Sequence, residues 1–569
     1  MFRIDRHIPA LFALMLCMIV ATPVFAQNIP SSADPARVQG HIRQEWLPPL
    51  EKERSVVKEE APAATPTPQG AALIRFPLEQ IFVDGMTVYK EEDIRPLYQK
   101  MIGEDVTLVD IFALADALTV KYRNDGYILT RAVVPAQEIE NGTVRLQVVE
   151  GYIDAVKIEG DTRAAHKRIR HYLTPVQAAR PLNMKQLERA LLLINDLPGV
   201  TARNILSPSL NTFGAADLTL IVTDTKIFSG NLRADNRGSR YLGPLQVSAT
   251  VNTENLLKQH DRIFLQSVTA LHSSDTREMD YIGAGYSQPV GRFGTILSIG
   301  GNISFSEPGY TLTQFNIDGR TDTVNIALTQ PLIRSRLTNL SLTGSFDLMN
   351  TKRTDNINPA PTEDRLRVLR LAISGHHFDR FSGVTSGNLQ LSQGLNILNA
   401  TETGSANLTR ARGVSDFFKA TAQIDRLQRV TDRIQFYGAV TGQKSAHMLL
   451  SSEEFGIGGA DFGRAYDASE ITGEDAVAAK AELRFLNPLP LVIKSHQLYG
   501  FYDIGKVWDP DNNIVSAQTR SLASAGLGVN MTFWKDVALN IEAAKPLTRP
   551  VAYNGSSKWR WFFSLNAPF

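Results

Sequence analysis

The sequence ends in WRWFFSLNAPF, Trp559–Phe569. Counting back by twos from Phe569 gives Ala567, Leu565, Phe563, Trp561 and Trp559, an almost wholly apolar face. The other face carries Asn566, Ser564 and Arg560. Alternation of this kind is the period of a β-strand. A strand with one apolar and one polar face fits between lipid and a wet interior, and Trp559 and Trp561 suit the aromatic girdle at a membrane boundary.

The same pattern extends upstream. From about Ile227 onward no helical period persists, and short alternating stretches follow one another between turn residues: LQVSATVN, RIFLQSVTAL, TILSIGGNISF, NLSLTGSFDL, RLRVLRLAISG, KAELRFL, HQLYGFYDIG. The 343 residues involved accommodate about 16 tilted membrane strands at roughly 10 residues each plus connections. A soluble β-sandwich is much smaller and wants drier inner faces. Residues 225–569 are therefore expected to form a transmembrane antiparallel β-barrel. A terminal phenylalanine on such a strand resembles the recognition signal of bacterial outer-membrane proteins, which assigns Phe569 as an assembly signal.

The start of the chain agrees with export. Arg3 and Arg6 precede an apolar run, Leu11–Val20, and Val24-Phe25-Ala26 fits a cleavage site, so residues 1–26 read as a secretory signal peptide. Cys17 lacks the small residue that should follow a lipoprotein cysteine, and it is the single cysteine of the chain. Without residues 1–26 the balance is 57 basic against 57 acidic residues, which argues against a nucleic-acid partner. No apolar run of 18 residues follows residue 26, so no membrane helix is expected.

Between leader and barrel lie three regions. Asp34 and Pro35 can start a helix over residues 34–46, but its apolar content is only Val38, Ile42 and Trp46. Residues 47–75 are a linker rich in Pro, Ala and charge. Residues 76–151 then read as strand, short helix (EEDIRPLYQKMIG), long helix, strand and strand. The long helix is expected to bury Leu108, Ile111, Ala115, Leu118 and Tyr122, with Thr107 capping its start and Asp125-Gly126 its end. Residues 152–224 repeat the order, with a capping box expected between Asn183 and Gln186. Two β-α-α-β-β units in tandem resemble the POTRA domains of outer-membrane assembly and secretion proteins.

The whole arrangement of signal peptide, N-terminal helix, linker, two POTRA-like units and barrel resembles the TpsB transporters of two-partner secretion, the hemolysin secretion/activation proteins. LRADNRGSRYLGPLQ, Leu232–Gln246, looks like that family's first barrel hairpin, with Asp235, Asn236 and Gly238 in it. GFYDIGKVWD, Gly500–Asp509, looks like its late-strand aspartate motif, and AAKPL, Ala543–Leu547, matches a strand near the C-terminus. GGADFGRAYDASEITGED, Gly458–Asp475, resembles the Arg-Gly-Tyr motif at the tip of a loop folded into the barrel, placed at 456–475, and reads Gly463-Arg464-Ala465-Tyr466. Ala465 replaces the second glycine. Alanine tolerates positive φ poorly, so this is where the loop is expected to deviate.

Strand alternation puts Asp503 opposite Leu498, Gly500, Tyr502 and Ile504, hence inside the barrel if those face lipid. The resemblance implies that it pairs with Arg464. Glu482 and Arg484 share one strand face and are expected to line the lumen. The resemblance further implies export of a long exoprotein (a TpsA-like adhesin, cytolysin or toxin) across the outer membrane without ATP. POTRA units in the periplasm would capture it unfolded, and residues 27–46 would plug the resting pore. Other implied partners are outer-membrane lipid and the barrel assembly machinery. Three rival functions are an insertase of the same superfamily, a passive porin and a barrel-borne enzyme. An insertase usually carries more POTRA units, and a porin needs none. No HExxH, GxSxG or Walker pattern is present, and His166 and His171 read as solvated. No catalytic residue, metal site or cofactor is expected.

Overall fold

The computed structural model describes residues 30–34, 37, 68–160, 162–164, 166–273, 276–356, 360–410, 412–486, 493–509 and 519–569. The signal peptide, most of the helix expected at 34–46 and linker residues 47–67 lie outside them.

The first periplasmic unit has a three-stranded sheet. Gln80–Asp84 runs parallel to the central strand Thr143–Val149, and Arg131–Val133 pairs antiparallel on its other side. Helix Leu108–Asn124 covers the sheet with Ile111, Leu114, Ala115, Leu118 and Tyr122, while Leu108 is only partly buried. Its N-terminus carries a capping box in which the Thr107 hydroxyl accepts from Asp110 N and the Asp110 carboxylate accepts from Thr107 N. Two expectations change here. EEDIRPLYQKMIG gives one helical turn, Glu91–Ile94, followed by a 3-10 turn at Arg95–Leu97, because Pro96 cannot continue the ladder. The linker also ends early, since Arg75–Pro77 already pairs with Asp105–Thr107. Glu150 ties the unit together, accepting from Thr87 N at 2.7 Å, Val88 N at 3.1 Å and the Tyr122 hydroxyl at 2.8 Å. Burial pushes the Glu150 carboxyl up, but these donors hold it below its usual range.

The second unit repeats the plan. Tyr152–Glu159 lies parallel to the central strand Ala215–Asp224, and Val200–Pro208 closes the other side. Helices Lys167–Ala178 and Met184–Asn195 bury Ile169, Tyr172, Leu173, Leu187, Leu191 and Ile194. Asn183 caps the second helix by accepting from Lys185 N, without the reciprocal bond from Gln186 that the capping box would need. This unit meets the barrel directly. Arg189 donates to Pro331 O at 2.8 Å and Leu332 O at 3.1 Å, and Arg334 pairs with Asp196 through two 2.8 Å bonds.

Sixteen antiparallel strands close the barrel. The first, Phe228–Asp235, and the last, Arg560–Pro568, pair from Ser564↔Asp235 to Pro568↔Asn231. Phe569 and Gly230 extend the seam by exchanging backbone bonds of 2.9 and 3.0 Å. The Phe569 ring lies on Gly230, where a Cβ would stand 2.1 Å from the ring, so a side chain at 230 would displace the ring from this seat. Alternation sorts the faces. Leu498, Tyr502 and Ile504 are 45–49% exposed on the outside, while Asp503 is 0% exposed inside. On the last strand Trp561, Phe563 and Leu565 face outward and Phe562 is buried. Among the described residues no helix is long and apolar enough to cross a membrane.

Candidate lumenal site

The connection from strand Ile434–Ser445 to strand Asp475–Leu486 folds into the barrel, and it starts earlier than the span 456–475 read from the sequence. A short hairpin, Phe455–Ile457 paired with Ile471–Gly473, forms its stem. Glycines supply the left-handed turns above the stem, with φ of 126° at Gly458, 91° at Gly459 and 86° at Gly463. At Gly458 a Cβ would lie 2.1 Å from Asp467 O. Tyr466 N donates to Gly463 O at 2.9 Å, closing the tip. Ala465 is not among the left-handed residues, and its methyl is fully buried in the cluster that includes Phe462, Tyr466 and Phe562. The deviation expected at position 465 is absent because the positive φ values fall at other positions.

Arg464 stands at this tip, 5% exposed. Its backbone N and Nε each donate to Asp503 Oδ2 at 3.0 Å, and Nη2 donates to Asp503 Oδ1 at 2.8 Å. Nη1 donates to Glu482 Oε1 at 2.7 Å and lies 3.6 Å from Glu542 Oε2. The guanidinium stacks 3.6 Å from the Phe501 ring centroid. Arg484 pairs with the other side of Glu482 at 2.6 Å, and Arg237 with Glu542 at 2.6 Å. Three cations thus meet three carboxylates in a dry site, where such bonds are strong and an unpaired member is costly. Tyr466 donates through its hydroxyl to Ala523 O at 3.2 Å and Arg549 O at 3.0 Å.

The first hairpin packs against the same tip. Asp235 accepts from Arg233 Nε at 3.0 Å and Arg237 N at 2.9 Å. Asn236 accepts from Phe563 N at 2.8 Å and donates to Trp561 O at 3.0 Å, prolonging the seam. Gly238 permits close approach, since a Cβ there would lie 2.0 Å from Gly243 O. Arg237 then reaches Arg464 O at 3.1 Å. From the last strand, Arg560 holds Ala465 O at 2.9 Å and Asp467 at 2.6 Å.

Sequence reasoning missed a second anchor at the loop's other end. Glu453 is 3% exposed and pairs with Arg370 at 2.7 Å and Lys419 at 2.8 Å. Arg370 also binds Asp347 at 2.6 Å. The loop therefore offers a cation to an acidic wall through Arg464 and an anion to a basic wall through Glu453. Arg237 and Glu542 were missed as well, although both were within reach. Arg237 sits inside the DNRGSR stretch, and Glu542 is on the inward face of strand Ala538–Pro546, just before AAKPL.

The few described N-terminal residues rest on this loop. Ser31 Oγ lies 3.2 Å from Thr472 Oγ1, Ser451 donates to Asp34, and Arg37 pairs with Glu454 and donates to Ser451 at 3.2 Å. Among the described residues one group has metal-ligand spacing, Glu454, Glu474 and Asp509 with oxygens within 4.8 Å. Arg410 pairs with Glu454 at 3.4 Å and also with Glu474, while Arg520 pairs with Asp509 at 3.0 Å. Guanidinium groups therefore supply the positive charge a metal would bring.

The family profile described as haemolysin secretion/activation protein ShlB/FhaC/HecB matches residues 214–531. The chain belongs to this family. A ShlB-type POTRA profile matches residues 76–151. The heme/hemopexin transporter protein HuxB of Haemophilus influenzae (strain 86-028NP) is 24% identical over 567 residues, covering 98% of both chains. The outer membrane transporter CdiB of Escherichia coli is 23% identical over 568 residues, covering 96% of this chain and 93% of its own. The solved structure of CdiB from Escherichia coli superposes with a TM-score of 0.73 at 20% identity, covering 90% of this chain and 93% of that one, a likeness of fold. This haemolysin secretion/activation family member is an outer-membrane two-partner secretion transporter with periplasmic POTRA structure, and it works with a secreted partner protein.

Proposed function

We propose that the inward loop is a two-ended strap that fixes the lumen in the shape an unfolded exoprotein needs for passage. Arg464, seated between Asp503, Glu482 and Glu542, carries this reading. Glu453 holds the opposite end. Residues 27–46 plug the resting pore, a reading supported by the docking of Asp34 and Arg37 on Ser451 and Glu454. The periplasmic units capture the partner by β-augmentation, in which main-chain bonds give affinity and little sequence is read. Strands Tyr152–Glu159 and Val200–Pro208 flank the second sheet and have no further strand partner among the described residues. No ATP is consumed, and folding of the partner outside the cell makes transport directional. The partner belongs to the class of large adhesins, cytolysins or toxins, and Phe569 serves recognition by the barrel assembly machinery.

The test compares culture supernatants of cells with and without the chain. A large polypeptide missing from the second sample is the expected result. Identical supernatants together with loss of other outer-membrane barrels would overturn the export reading in favour of an insertase.

A further inference from the structure

The POTRA units lead into the first strand, so strand ends alternate between the periplasmic and extracellular rims. The described connections on the periplasmic rim are 255–261, 291–294, 335–337, 379–382, 430–433 and 533–537. Each carries a large, exposed apolar side chain: Leu257, Phe293, Leu337, Phe381, Val430 and Trp534, all 56–76% exposed. Each also has an exposed cation in or beside it: Lys258, Arg292, Arg336, Arg380, Arg429 with Arg433, and Lys535. Three of these cations stack on their neighbours, Arg292 on Phe293 at 5.0 Å, Arg380 on Phe381 at 4.9 Å and Lys535 on Trp534 at 4.7 Å.

The charges are unbalanced by protein. Arg336 meets Glu188 at 3.4 Å, but among the described residues Lys258, Arg292, Arg380, Arg429, Arg433 and Lys535 make no ion pair. On the opposite rim Arg277, Arg320 and Arg365 are each paired with a carboxylate, Asp280, Asp322 and Glu363, while the exposed Lys506, Lys545 and Lys558 make no ion pair among the described residues. The acidic residues of the periplasmic turns are mostly spent elsewhere. Asp261 accepts from Leu257 N and Gln259 N, Asp379 pairs with Arg426 and Asp536 with Lys494, which leaves Asp432. The outward apolar face reaches these turns directly, with Leu332, Ile333, Phe378 and Phe436 exposed at the strand ends. An exposed apolar side chain is therefore stationed at the edge of the hydrocarbon, with a cation beside it at headgroup depth that is unpaired at every turn but 335–337.

We propose that the periplasmic turns form a basic–apolar collar that binds the phosphates of anionic phospholipid in the inner leaflet of the outer membrane. The apolar side chains enter the acyl boundary, and the cations take the headgroup phosphates. The collar fixes the barrel's depth and tilt, and thereby the height at which the periplasmic units hang below the pore.

The full chain in detergent is titrated with phosphatidylglycerol and, separately, with phosphatidylcholine of the same acyl chains, and bound lipid is counted by native mass spectrometry. Cations near an anionic surface each contribute about fivefold in partition. Phosphatidylglycerol is therefore expected to bind at least about tenfold more tightly than phosphatidylcholine, and the preference should collapse at high salt. The variant K258Q/R292Q/R380Q/R429Q/R433Q/K535Q should bring the two lipids to within about twofold, with folding checked by heat-modifiable gel mobility. The R292K/R380K/R433K variant keeps the charges and should keep the preference. Equal binding of the two lipids by the native chain overturns the proposal. So does a preference that survives in the glutamine variant or at high salt, or competition by inorganic phosphate as effective as that by the lipid.

Discussion

Replacing Asp503 with alanine tests the Arg464 anchor most sharply. The carboxylate accepts three bonds from Arg464, at 3.0, 3.0 and 2.8 Å, and one from Ser524 Oγ at 3.2 Å. Removing one partner of a buried ion pair costs about 3–5 kcal/mol. Glu482 and Glu542 still face the guanidinium, so the lower end applies, about 3 kcal/mol or roughly a hundredfold in the docking equilibrium of the loop tip. Hydrogen exchange by mass spectrometry reads this directly. Gly458 N, Gly459 N and Tyr466 N are bonded only within the loop, to Phe462 O, Tyr466 O and Gly463 O. Their exchange should accelerate about a hundredfold while that of the barrel strands does not change. The charge-reversed pair R464D/D503R should fail to restore protection. An aspartate at 464 would face Glu482 and Glu542, and an arginine at 503 cannot accept from the backbone N–H of residue 464. Acceleration below about threefold, or restored protection in the swap, would refute the anchoring argument.

Other consequences can be measured separately. Glu453→Ala leaves Arg370 paired with Asp347 but strips Lys419 of its carboxylate, and it should loosen the 446–474 segment by about 3 kcal/mol, seen as faster exchange at its N-terminal end. Arg37→Ala removes the contacts with Glu454 and Ser451, and single-channel records should show longer open times at unchanged full conductance. Gly230→Leu drives a side chain into the Phe569 ring, and the yield of heat-modifiable, folded barrel should fall severalfold, as it should on deleting Phe569. Unchanged yields in both would remove Phe569 from any role in closure or assembly.

The barrel was legible because its period is simple. Each strand must present one face to lipid, so alternation at Trp559–Phe569 and around Asp503 fixes which side chains point inward. The POTRA helices were legible through their apolar spacing and the Thr107 cap. The helix expected over EEDIRPLYQKMIG is shorter than its sequence suggests, Glu91–Ile94, because Pro96 interrupts the ladder. The Arg464–Asp503 contact could be named because a motif and strand parity pointed to it together. Glu453, Arg370 and Lys419 could not, because their meeting depends on how far the loop folds inward, and no local pattern encodes that. The deviation expected at Ala465 rested on alanine replacing a glycine, but the loop needs no positive φ at that position. The structure puts it at Gly458, Gly459 and Gly463.

The central claim is that this transporter exports its partner through a lumen held in shape by Arg464. The direct measurement is the amount of partner in the medium from cells carrying Arg464→Ala or the native chain, at equal amounts of folded, heat-modifiable barrel in the outer membrane. The account predicts at least about a tenfold loss of secreted partner, as expected when removal of a buried cation leaves Asp503 uncompensated and frees the loop tip from Glu482 and Glu542. Equal secretion from equal amounts of folded barrel would contradict it.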